Sequence, residues 1–286
     1  MKRSEALRDA RARLTRAGVR EPGLDAEWLL RSVLGCDRAA LLADPHAELE
    51  PEPLRRYTGL VARRCDRVPV QHLTGVQSFW RHEFRVGPGA LIPRPETEGV
   101  VEAACGLLSG TPRPLVVDVG TGTGCIALSL AAELPEARVH ATDVSAAALE
   151  LAALNRSRLG LEARVALHRG DLLRPVAGLA GEVDLVASNP PYVDPADAAQ
   201  LGPEVRDHEP RRALFAPGER LSVYRRLLPA ARAVLRPGGW VVLEIGSGME
   251  AEVAALCAGA DLELMRVRPD LQGIPRVLVA RRPKTA

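Results

Sequence analysis

Asn189-Pro190-Pro191-Tyr192 packs more usable chemistry into four residues than any other stretch of this 286-residue chain. Two consecutive prolines remove two backbone donors and hold the chain extended, so carbonyl groups stand outward with no competing N–H. Asn189, preceding a proline, is kept out of the helical region. A planar NH2, whether amide or aromatic amine, is a poor nucleophile because its lone pair is delocalised. A site that uses one must accept both hydrogens and aim the nitrogen. The Asn189 side-chain carbonyl can take one hydrogen and the Pro190 backbone carbonyl the other, while Tyr192 covers the flat group and excludes water. Alignment of this kind is worth roughly 7–11 kcal/mol in the best cases.

A second cluster suits a nucleoside. Asp118-Val119-Gly120-Thr121-Gly122-Thr123-Gly124 follows a short β-branched run and opens a helical stretch. Its glycines permit positive φ and close approach of backbone to a ligand, and the helix beyond offers free N–H groups. Asp143 stands 19 residues after Gly124, at the end of the next strand, where a carboxylate can accept both hydroxyls of a ribose. The dinucleotide fingerprint G-x-G-x-x-G is not met, since Cys125 occupies its third glycine place, and the G-K-[ST] of a phosphate-binding loop is absent. Gly170-Asp171-Leu172-Leu173 follows the third strand, a position that faces a binding crevice.

These residues need a scaffold, and the pattern supplies one. Residues 1–75 read as a small helical domain: Leu7, Ala10, Leu14 and Ala17 recur at helical spacing, then Leu24–Leu34 ending before Gly35, then Pro51–Arg64. Residues 76–93 read as a β-hairpin linker, with Phe79–Val86 as one strand, Gly87-Pro88-Gly89 as its turn and Ala90–Pro93 running back. From residue 94 to 286, strands (115–119, 138–142, 164–168, 183–188, 240–245) alternate with helices (125–134, 146–159, 222–235), and two closing strands follow at 262–268 and 276–281. Such alternation means an α/β domain with a mostly parallel sheet and helices on both faces. Trp28 and Trp240 read as core residues. Pro95, Glu96 and Glu98 are ordinary helix-initiating residues; a second reading of Arg94–Glu98 puts it beside the cofactor and substrate, and the two are compatible.

Composition narrows the class. Hydrophobic residues at 47% and charged residues at 26% fit a globular chain and argue against disorder. A net charge of +2 provides no field that would call for direct nucleic-acid contact. The longest stretch without an acid or base, Val119 to Ala132, is 14 residues, too short for a membrane span. The start, Met1 to Leu14, has bases but no apolar segment of a signal peptide, so a cytoplasmic location is expected. Five cysteines without C-x-x-C spacing and six scattered histidines predict no metal site and a reducing compartment.

The glycine loop resembles the first motif of class I S-adenosylmethionine (SAM) methyltransferases, whose Rossmann-like sheet has seven strands. Asn-Pro-Pro-Tyr occurs in enzymes that methylate adenine N6 in nucleic acid and in enzymes that methylate glutamine. Further segments resemble the peptide chain release factor glutamine methyltransferases (the PrmC/HemK family) nearly throughout: Glu27–Leu30 with Leu34-Gly35, Phe79-Trp80 through Val86, Leu91–Glu98, Asp118–Ala127, Asp184–Tyr192, Glu209-Pro210 with Ala213-Leu214, Pro237–Gly239, Leu243–Gly246, and Asp270-Leu271 with Gly273–Val277. The resemblance implies transfer of a methyl group from SAM to the glutamine amide of the Gly-Gly-Gln motif in class 1 release factors, by a monomer whose helical domain grips the factor. It implies cofactor contacts from Gly120, Thr121, Gly122, Thr123, Gly124, Asp143, Leu172 and Asn189, with Asp171 receiving the adenine amino group, and a glutamine held by Asn189, Pro190, Pro191 and Tyr192. Phe215–Leu221 and Met249 depart from the family pattern and leave room for a paralogue with another protein substrate. An adenine N6-methyltransferase would call for a basic nucleic-acid-binding domain. A binding module without catalysis would be expected to have lost part of Asn189–Tyr192 or Asp143.

Overall fold

Apolar residues three and four apart turn the first helices toward one another. In a computed structural model, which describes residues 1–284, α1 (Arg3–Arg16) buries Ala6, Ala10 and Leu14. The next helix, α2 (Pro22–Leu34), buries Ala26, Leu29, Leu30 and Val33, and a left-handed Gly35 ends it. Asp37 caps α3 (Arg38–Ala43) by accepting from the Ala40 N–H at 2.7 Å. Tyr57 and Val61 of α4 (Pro51–Cys65) join the same core, and α5 (Val70–Thr74) closes it with Val70. The Tyr57 hydroxyl donates to the Ala26 carbonyl at 3.0 Å, so its polar tip is satisfied inside the core. Trp28 is not a core residue: it lies 43% exposed, because the buried stripe of α2 runs through Ala26, Leu29, Leu30 and Val33.

The hairpin forms in a different register from the one its glycines suggest. Its strands are β1 (Val76–Phe79) and β2 (His82–Arg85), and Trp80-Arg81 makes the turn. Trp80 takes φ +55°, a costly conformation for a bulky residue. Two carboxylates offset that cost: Glu98 accepts from the Trp80 backbone N–H at 2.7 Å and Glu133 from the indole N–H at 2.9 Å. Gly87-Pro88-Gly89 and Ala90–Pro93 are irregular chain.

The α/β unit follows as α6 (Glu98–Leu108), β3 (Leu115–Val119), α7 (Cys125–Glu133), β4 (Arg138–Asp143), α8 (Ala146–Arg158), β5 (Val165–Arg169) and β6 (Val183–Ser188). After two short helices, α9 (Pro203–His208) and α10 (Arg211–Leu214), it resumes with α11 (Ser222–Val234), β7 (Leu235–Glu244), α12 (Glu250–Gly259), β8 (Glu263–Pro269) and β9 (Pro275–Arg281). The sheet has seven strands in the order β5-β4-β3-β6-β7-β9-β8, with β9 antiparallel to both its neighbours and the other pairings parallel. This is the doubly wound, Rossmann-like α/β architecture the alternation predicts. One face packs on α6 and α7, the other on α11 and α12. Every residue of α7 from Cys125 to Ala131 is buried, which explains the long uncharged stretch: a helix covered on all sides has no face for charge.

Strand order fixes where a site can be. The order reverses between β3 and β6, and Val119 at the end of β3 is in register with Ser188 at the end of β6. The Ser188 hydroxyl donates to the Val119 carbonyl at 2.6 Å, locking the two strand ends together. The glycine loop and Asn189–Tyr192 therefore leave the sheet side by side, at the switch point where open α/β sheets form their crevice.

The chain divides into two compact units, and the helical one is discontinuous: Met1–Val76 together with Leu201–His208. The reason is electrostatic. Arg64, 5% exposed, donates from Nε to Asp25 at 2.7 Å and from Nη2 to Glu204 of α9 at 2.8 Å. Arg67 grips the same Glu204 with two bonds of 2.8 Å. No helix among the described residues is long and apolar enough to cross a membrane.

Candidate active site

The glycine loop is held by its own neighbourhood. Asp118 is fully buried, and one of its oxygens accepts from the Thr121 hydroxyl at 2.6 Å and from the Ala127 N–H at 3.2 Å. The Gly120 and Thr121 N–H groups donate to the Thr142 carbonyl at 2.9 and 3.0 Å. Gly122 N–H donates to Asp143 at 3.0 Å, and the other Asp143 oxygen accepts from Ser145 N–H at 2.8 Å. Each oxygen of that carboxylate keeps a further lone pair for a hydroxyl. Gly120 and Gly122 adopt φ of +73° and +57°, and a Cβ on Gly120 would stand in open space. Burial pushes the Asp118 carboxyl up to about 7, against the hydrogen bonds from Thr121 and Ala127 that pull it down.

A cavity of about 670 Å³ opens above the loop, a size typical of small-molecule sites. Gly120, Thr121, Gly122, Thr123 and Asp143 form one wall, Asp171 and Leu172 a second, and Asn189, Pro190 and Pro191 a third. Two residues of the sequence reading stand off this wall. Gly124 lies behind it, at the N-terminus of α7 with φ +84°; a Cβ there would come within 2.9 Å of Leu128, so this glycine serves helix packing. Tyr192 also stands outside the lining, its ring packed beside Gly246. Leu172 is strained at φ +50°, which marks a position that its surroundings impose. The Asp171 carboxylate is paired with Arg226 of α11 and lies 3.7 Å from Arg174. The divergent 215–221 segment borders the cavity through Phe215 and Pro217, with the Arg211 guanidinium 4.6 Å above the Phe215 ring.

Asn189–Tyr192 is braced from far away in sequence. Asn189 Nδ2 donates to Thr97 Oγ1 at 3.0 Å, the Thr97 hydroxyl donates to Glu244 Oε2 at 2.5 Å, and the Tyr192 hydroxyl donates to Glu244 Oε1 at 3.1 Å. Thr97 and Glu244 are 3% and 2% exposed. Burial raises the Glu244 carboxyl, while Thr97, Tyr192 and the charge of Arg276 pull it back and Glu96 adds to the rise. Burial likewise raises the Tyr192 phenol. Nearby, Glu209 accepts from Ile92 N–H at 3.2 Å and pairs with Arg94, tying the chain before α6 to the chain before α10. Helix initiation describes Pro95 and Glu96 correctly, since Pro95–Thr97 is a 3-10 turn leading into α6, yet it hides the part that Thr97 plays. The roles of Thr97, Glu209 and Glu244 carry no local signal, because their side-chain partners lie 52 to 147 residues away. Asp118 could have been found from its place one turn ahead of the loop it holds.

Comparison with known proteins agrees with this geometry. Residues 5–75 match the PrmC N-terminal domain and residues 106–237 the methyltransferase small domain. The release factor glutamine methyltransferase of Koribacter versatilis is 41% identical, with 98% of each chain covered. Those of Cereibacter sphaeroides and Deinococcus radiodurans are 43% and 44% identical, with 99% of each chain covered. Among solved structures, the catalytic domain of hMettl16 in complex with a MAT2A 3′UTR hairpin superposes with TM-score 0.57 at 17% identity, covering 83% of both chains. A methyltransferase from Pyrococcus furiosus superposes with TM-score 0.50 at 17% identity, covering 82% of this chain and all of the other. At that identity the structural likeness speaks for the fold, whereas the full-length sequence relatives, joined to a glycine loop and Asn189-Pro190-Pro191 on one cavity, place the chain in the release factor glutamine methyltransferase family.

Proposed function

We propose that the chain methylates the side-chain amide of the glutamine in the Gly-Gly-Gln motif of class 1 peptide chain release factors, using S-adenosylmethionine and giving N5-methylglutamine. The observation that carries this reading is the register of β3 with β6, which sets a nucleoside-type loop and a carbonyl pair on the same cavity. The residues present fit the cofactor. The open space over Gly120 admits a ligand against the backbone, Asp143 has lone pairs left for ribose hydroxyls, and Asp171 with the strained Leu172 frames a place for the base. Gly120 to Thr123 would hold the methionine part, and Gly124 keeps the helix close beneath them.

S-adenosylmethionine supplies a methyl group on a positively charged sulfur, an electrophile that needs no further activation. What the protein must add is alignment. Asn189 Oδ1 and the Pro190 carbonyl accept the two hydrogens of the glutamine NH2, Pro191 keeps the segment extended, and Tyr192 closes its far side. The helical unit, Met1–Val76 with Leu201–His208, grips the release factor. The chain acts as a monomer in the cytoplasm, on a protein and without direct contact to nucleic acid, as its net charge of +2 suggests.

The test is methyl transfer from labelled S-adenosylmethionine to a Gly-Gly-Gln release factor and, in parallel, to adenine-containing DNA and RNA. Label is expected on the glutamine alone, and Asn189→Ala is expected to lower transfer roughly 10³-fold while cofactor binding persists. Label on adenine with none on the release factor would overturn the reading.

A further inference from the structure

We propose that Glu244, acting through Thr97, is a positioning residue that sets the polarity of the Asn189 amide and so makes the site accept an NH2 group. The inference rests on the reading of Asn189 given above. An asparagine amide has two nearly equal-sized ends, one donating and one accepting, and a site that must receive N–H hydrogens works in only one of its two orientations. Nothing within Asn189–Tyr192 itself chooses between them. Thr97 does not choose either, because a hydroxyl can donate or accept.

Glu244 breaks the tie. A carboxylate only accepts, so the Thr97 hydroxyl spends its hydrogen on Glu244 at 2.5 Å. Its oxygen is then left as an acceptor, and the group that meets it at 3.0 Å has to be Asn189 Nδ2. The Oδ1 end is thereby the one left for a substrate hydrogen. The second carboxylate oxygen accepts from the Tyr192 hydroxyl at 3.1 Å, so one side chain on the last residue of β7 braces both ends of the tetrapeptide. Thr97 and Glu244, at the centre of this relay, are buried, where a hydrogen bond holds its direction firmly, and Asn189 and Tyr192 are half-buried. Thr97 and Asn189 line the cavity, whereas Glu244 and Tyr192 stand behind its wall.

The test uses the full chain, a Gly-Gly-Gln release factor and S-adenosylmethionine. Thr97→Val keeps the shape and removes the relay, and kcat is expected to fall about 10–100-fold while cofactor affinity and the KM for the release factor change less than about threefold. Thr97→Ser restores the hydroxyl and is expected to recover kcat to within about threefold of the parent. Glu244→Gln reads the same point should Thr97→Val not fold: the amide offers one acceptor where the parent offers two, so either Thr97 or Tyr192 must turn round, and kcat falls. A parental kcat in Thr97→Val, or in Glu244→Gln, overturns the inference, as does a Thr97→Ser as impaired as Thr97→Val. Asn189→Ala separates the two levels. If it methylates like the parent, the functional reading itself fails; if it is inactive while Thr97→Val is normal, only the relay fails.

Discussion

Two of the cavity's walls, the glycine loop and the Asn189 segment, hold their shape by opposite means. The glycine loop is braced by residues close in sequence: Asp118 reaches Thr121 and Ala127, and the strand beside it supplies Thr142 and Asp143. Asn189–Tyr192 is braced at long range, by Thr97 some 92 residues before it and Glu244 some 52 residues after. The first arrangement shapes a stretch of backbone with open space above Gly120. The second fixes the direction of one hydrogen-bonding group, and direction is what distinguishes an amine-accepting site from one that would take a carbonyl. Binding and alignment are thus built separately and should fail separately.

Gly120→Ala tests the first wall and should have a larger effect than Gly246→Ala in the second. The new methyl enters the open space above the loop, and φ +73° costs a non-glycine residue about 1–2 kcal/mol. Cofactor affinity, read by calorimetry, should fall about 10–100-fold, the cost of a lost close approach plus strain. Parental affinity would show that the loop does not face the cofactor. Gly246→Ala tests the second wall. Its Cβ would come within 3.0 Å of the Tyr192 ring and 2.6 Å of the Met249 sulfur, so Tyr192 must shift. Steady-state kinetics should show kcat reduced about tenfold with cofactor affinity within about twofold; a loss of affinity instead would mean that the walls are not independent.

Asp118→Asn gives the smallest effect and concerns stability. The Asp118 carboxyl sits at about 7 in the folded chain against an ordinary 3.8, so between those values the folded state holds a proton that the unfolded state releases. Its stabilising contribution is complete below pH 3.8 and is lost as the pH rises through about 7. Denaturant midpoints measured from pH 4.5 to 7.5 should fall more steeply in the parent than in Asp118→Asn. Equal slopes would show that Asp118 does not titrate in that range.

What could be read from the chain follows the same division. The parallel strands, their helices and the glycine loop were legible because each depends on periodicity or on residues within one turn. The Asn-Pro-Pro-Tyr segment was legible because proline acts on its own backbone. The hairpin was misplaced because Gly87-Pro88-Gly89 carries the usual turn residues, whereas Trp80 bends only because Glu98 and Glu133 hold it. Trp28 was assigned to the core on residue type alone, although the apolar stripe of α2 passes beside it. Thr97 and Glu244 lie within segments that resemble the family, Leu91–Glu98 and Leu243–Gly246, yet their role is silent, since a threonine in a helix start and a glutamate in a strand acquire meaning only when the fold brings them to Asn189.

The interrupted helical unit has a consequence in time. A nascent chain delivers Arg64 and Asp25 early, but Glu204 is made 140 residues after Arg64. At about 5–20 residues per second that interval lasts about 7–28 s. By then four strands of the sheet, β3 to β6, have been synthesised. The N-terminal helices therefore emerge first yet wait on a piece of chain translated after Asn189–Tyr192, so the helical unit is finished only once that segment has been synthesised.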